Sequence, residues 1–73
     1  MSQEDEIHTA FRQAIRQDEN GRLTISTHDF VAELARRNWP HTLRAANHWI
    51  EIHITPFQDV SIAPGDDRLF RLS

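Results

Sequence analysis

Trp39-Pro40-His41-Thr42-Leu43-Arg44-Ala45-Ala46-Asn47-His48-Trp49-Ile50 is the stretch on which the fold turns. Pro40 cannot donate an amide hydrogen bond and disfavours helical backbone at Trp39, so a helix arriving from the N-terminal side must stop at Asn38-Trp39-Pro40. Thr42 can then accept a hydrogen bond from a backbone amide of the following turn and start a new helix. That helix has Leu43, Ala46, Trp49 and Ile50 on its inner face and Arg44, Asn47, His48 and Glu51 on its outer one. Both Trp39 and Trp49 are in phase with apolar neighbours and read as core.

Upstream, Ser26 and Asp29 have capping-box spacing ahead of a second helix, with Phe30, Val31, Leu34 and Ala35 inward and Glu33, Arg36 and Arg37 outward. Leu23-Thr24-Ile25 alternates and carries two β-branched residues, which predicts a brief strand. A first helix is predicted over Glu4 to Gln17 from the apolar stripe of Ile7, Phe11, Ala14 and Ile15, with Glu4, Asp5 and Glu6 complementing its dipole. The segment Asp18-Glu19-Asn20-Gly21 reads as its stop. Downstream of the quoted stretch the apolar period changes to two: Ile52 with Ile54, Val60 with Ile62, and Phe70 with Leu72. Pro64-Gly65-Asp66-Asp67 is the expected hairpin turn. The expected class is therefore α+β, with residues 1–6 a flexible acidic segment and residues 7–73 one domain.

At 73 residues the chain is short for a domain, so the core must be thin and little chain is left for a catalytic cleft. A globular balance of 38% hydrophobic and 26% charged residues supports folding over disorder. With no cysteine there is neither a disulfide framework nor a thiolate metal site, which points to a reducing compartment. No stretch approaches the roughly 18 apolar residues that a membrane span needs, and the expected location is the cytoplasm without membrane association. The formal charge of −3 is the wrong sign for bulk attraction to nucleic acid, so DNA binding would have to rest on where the charges sit.

The order helix, short strand, helix, tight turn, helix and C-terminal hairpin resembles a winged helix-turn-helix domain, and residues 39–50 look like the recognition-helix region of small phage and bacterial transcription regulators. The resemblance covers roughly Ile7 to Leu72 and implies three helices, a short strand and a C-terminal β-hairpin wing. It further implies that the third helix enters the major groove of double-stranded DNA while the loop around Pro64 to Asp67 approaches the neighbouring backbone. The residue types agree: Arg44 can fork onto guanine, Asn47 onto adenine, and His48 can reach bases or phosphate. Arg36, Arg37 and His41 surround the turn before the helix, and with Thr42 at its start they complete the expected nucleic-acid set.

The expected wing departs from that pattern, since Asp66 and Asp67 would face a polyanion with only Arg68 and Arg71 to offset them. This supports an alternative in which the chain is an anti-repressor or adaptor of phage or prophage type. Its acidic surface, centred on Asp59, Asp66, Asp67 and Arg68, would then block a repressor protein. A homodimer is compatible with either function. Of the five histidines, His8, His28, His41, His48 and His53, only His41 and His48 have a suggestive separation, and no metal or other cofactor is expected. Ser26, His28 and Asp29 are explained by a helix start, so no catalytic residue is assigned and no enzyme is expected.

Overall fold

The computed structural model describes residues 3–62 and 64–72; Met1, Ser2, Ala63 and Ser73 lie outside the described residues. The chain order is α1 (Gln3–Ala14), β1 (Arg16–Gln17), β2 (Leu23–Ser26), α2 (Thr27–Arg36), α3 (Leu43–His53), β3 (Phe57–Asp59) and β4 (Leu69–Leu72). This is an α+β arrangement of three helices and a four-stranded antiparallel sheet in the order β1-β2-β4-β3.

Helix α1 buries Ile7, Ala10, Phe11 and Ala14, a spacing of three and four residues that keeps one stripe inward. Glu4, Asp5 and Glu6, expected in part as a flexible segment, form its first turn instead. The helix also ends three residues earlier than the apolar stripe predicts. Arg16 and Gln17 leave it to pair with Thr24 and Leu23. Asp18 is the cause: its Oδ1 accepts from the amides of Asn20 and Arg22, each at 2.9 Å, and its own amide donates to the Arg22 carbonyl. Gly21, at φ +79°, supplies the left-handed residue, so the segment read as a helix stop is a hairpin turn.

The boundaries of α2 and α3 follow their caps. Ser26 Oγ accepts from the Asp29 amide at 3.1 Å, and Thr42 Oγ1 from the Ala45 amide at 3.0 Å. Asn38 takes φ 63°, which asparagine tolerates better than most residues, and the Trp39 amide folds back onto the Leu34 carbonyl. Helix α3 runs on to His53, so Ile52, expected on a strand, is helical and 57% exposed.

The C-terminal hairpin is also shifted. Its first strand is Phe57–Asp59 and not Val60 to Ile62; beyond it the Val60 amide donates to the Leu69 carbonyl and the Leu69 amide to Ser61 Oγ, each at 2.8 Å. Asp59 Oδ1 then accepts the Ser61 amide and turns the chain outward, leaving Ile62 fully exposed. Phe70 on β4 is buried and Leu72 partly so, as their shared face predicts. Ile25 and Phe70 bring the sheet to a core shared with Phe11, Phe30, Leu34, Ala46 and Ile50, and Trp39, Trp49 and Phe57 pack against it.

Candidate nucleic-acid interface

Helix α3 sets the geometry. Capped by Thr42, it turns Arg44 and His48 to solvent, and neither side chain has a hydrogen-bond or ion-pair partner among the described residues. Together with Asn47, Glu51, Asp66 and Arg68 they line a shallow groove of about 290 Å³ between α3 and the loop that leads into β4.

Asn47 does not lie on the outer face as expected. It is only 9% exposed and holds the loop to the helices. Its Oδ1 accepts from Thr27 Oγ1 at 2.5 Å, and its Nδ2 donates to the Asp66 carbonyl at 2.6 Å. The Thr27 hydroxyl in turn accepts the Arg68 amide at 2.9 Å, and the Thr27 amide donates to the Arg68 carbonyl at 2.8 Å. A helical wheel contains the signal for this: Asn47 falls between Leu43 and Ile50 on the apolar stripe, and Thr27 lies in phase with Phe30 and Leu34. The Oδ1 of Asn47 and one of its two Nδ2 hydrogens are thus engaged within the fold.

The basic residues around the turn divide. Arg37 is not an outward cation; it reaches back to Glu6 on α1 at 3.1 Å, with both side chains half-buried. Arg36 is exposed and pairs with Glu33 one turn earlier at 3.3 Å, a surface contact weak enough to leave it available. His41 Nδ1 faces the Trp39 carbonyl at 2.8 Å and orders the turn. Thr42 serves as the cap.

Most of the expected acidic surface is tied into the fold. Asp59 pairs with Arg68 at 2.9 Å, and Asp67 Oδ1 accepts the His28 amide at the start of α2. Asp66 offers its carbonyl to Asn47 and, like Glu51, lines the groove, so two acidic residues share it with Arg44 and His48. Among the described residues no group of three or more metal-binding side chains comes together, and no helix is long and apolar enough to cross a membrane.

Two carboxyl groups are held below their ordinary range. At Asp29 partial burial pushes the value up, but the Ser26 hydroxyl, Arg16 and His28 together outweigh it. At Asp59 the Ser61 hydroxyl and amide lower the value against slight desolvation, and Arg68 adds to them. A depressed folded value stabilises the fold above the ordinary carboxylate range, and that stabilisation is lost as pH falls through the folded value. The urea midpoint is therefore expected to drop as pH goes below about 4, and Asp59→Asn to make that drop smaller. An acid limb unchanged in the variant would remove Asp59 from the effect.

Comparison of the chain with protein-family models, with curated proteins and with solved structures gives no match.

Proposed function

We propose that the chain is a small winged-helix regulator of phage or bacterial type that binds double-stranded DNA through the outer face of α3. The observation that carries this is the pair Arg44 and His48, one helical turn apart, exposed and without intramolecular partners among the described residues. The fold supports it: α2 and α3 are joined by the turn at 37–42, and β2 pairs with β4, which pairs with β3. In this arrangement the stretch leading into β4 is the wing, and Asn47 holds its Asp66 against the recognition helix. Arg44 reads a base edge, His48 a base or phosphate, and Arg36 a phosphate. Such a regulator works in the cytoplasm, and as a homodimer it would read two related half-sites.

The test is affinity for a duplex selected from a random pool. Arg44→Ala is expected to weaken that site by roughly 1–3 kcal/mol while leaving unrelated duplexes alone. Arg36→Ala is expected to weaken all duplexes alike and to flatten the salt slope by about one. Equal binding by both variants and the parent protein would overturn the reading.

Glu51 and Asp66 in the same groove, with a net charge of −3, favour a second reading: an anti-repressor that occupies a repressor surface. A groove with both signs of charge suits a protein partner better than a polyanion. No retention on heparin at low salt, with capture of a purified repressor that is lost in Asp66→Lys, would put this reading first.

A further inference from the structure

The face of the sheet opposite the buried Ile25 and Phe70 carries an ordered pattern that DNA binding through α3 does not use. Residues directly opposite one another on neighbouring strands share a face. Arg16 is opposite Thr24, Thr24 opposite Arg71, and Arg71 opposite Gln58, so one row crosses all four strands with an arginine on β1 and another on β4. Two strand spacings separate these arginines, about 9–10 Å. Arg71 has no acidic partner among the described residues, and Arg16 has only an exposed contact at 3.3 Å to Asp29.

A second, apolar row runs beside the first. Ser26 lies opposite Leu69, which takes the Val60 amide on its carbonyl, and Ile62 follows. Leu69 is 41% exposed and Ile62 fully so; they are two of the three large apolar side chains that are exposed among the described residues. With Val60 and Ser61 they line a hollow of about 260 Å³, whose charged members Asp67 and Arg68 are already held by His28 and Asp59. Along β4 the two rows are two residues apart, about 7 Å.

We infer that this face docks an acidic amphipathic helix of a partner protein. A helix lying across the strands would bury one apolar edge on Leu69, Val60 and Ile62 and present carboxylates to Arg71 and Arg16. Carboxylates two turns apart on such a helix are separated by about 10.5 Å, close to the spacing of the arginines. Charge complementarity selects an acidic partner, and the neighbouring apolar row of Leu69, Val60 and Ile62 demands an apolar edge. The α3 groove stays free, so the protein can hold a partner and its other ligand together.

The test uses a synthetic helical peptide with leucines along one edge and glutamates two turns apart beside them. It is titrated into the 15N-labelled protein, with a sequence-matched lysine peptide as control. The expected result is saturable amide shifts at Thr24, Gln58, Val60, Leu69 and Arg71, and none for the lysine peptide. Arg71→Gln and, separately, Leu69→Ser should each weaken binding at least tenfold with unchanged amide dispersion, while Arg44→Ala leaves it unchanged. Any of four results would overturn the inference: no saturable shifts at millimolar peptide, shifts confined to α3, equal binding of the lysine peptide, or concentration-dependent shifts on this face without peptide, the last meaning that a second copy of the chain covers it.

Discussion

Phe30→Ala is expected to remove most of the stability of this domain. Phe30 is fully buried, with its ring edge-on to Phe11 at 5.5 Å and tilted against Trp49 at 5.4 Å. Truncating such a ring costs roughly 3–5 kcal/mol, because the transfer energy is lost and a cavity remains. A chain of this length holds only about 4–11 kcal/mol in total. The thermal midpoint, followed by far-ultraviolet circular dichroism, should fall by roughly 12–40 °C or the protein should be unfolded at room temperature. Phe30→Leu keeps most of the volume and should be much milder. A fall of less than about 5 °C for the alanine variant would mean that the aromatic group around Phe11, Phe30 and Trp49 does not carry the core.

That core was legible in the sequence because its signal is periodic and local. Ile7, Phe11 and Ala14 on α1, Phe30 and Leu34 on α2, and Ala46 and Ile50 on α3 each follow the helical repeat, and all are buried. The caps at Ser26 and Thr42 were equally readable, since a hydroxyl and the amides it serves are neighbours in sequence. What could not be read this way depends on partners far along the chain. Arg16 and Gln17 continue a helical pattern, yet β2 and the Asp18 turn draw them into the sheet. Ile52 alternates with Ile54 as a strand residue would, but α3 carries on to His53, which there meets Glu4 and His8 of α1. Arg37 looks like a phosphate contact until α1 brings Glu6 within 3.1 Å of it. The candidate site was accordingly half legible: Arg44, His48 and Arg36 lie outward, whereas Asn47 and Arg37 are turned to the fold itself.

Asn47 is where that reading of the site fails most usefully, and Asn47→Ala should expose the reason. A buried hydrogen bond to Thr27 Oγ1 and a part-buried one to the Asp66 carbonyl disappear, and the carbonyl loses the donor that held it. At about 1–3 kcal/mol for each buried group left without its partner, the expected cost is roughly 2–4 kcal/mol. The loss should be local as well as global: the Arg68 amide, donated to Thr27 Oγ1, should exchange faster than amides in the helical core. Thr27→Val and Asn47→Leu combined should cost less than the sum of the single changes, by about 1–2 kcal/mol, because removing both members of a buried pair leaves neither unsatisfied. Additive costs would mean that the two side chains act independently. If the coupling holds while the selected duplex still binds the double variant, Asn47 orders the loop and does not read DNA, and the contacts that choose the sequence are left to Arg44 and His48.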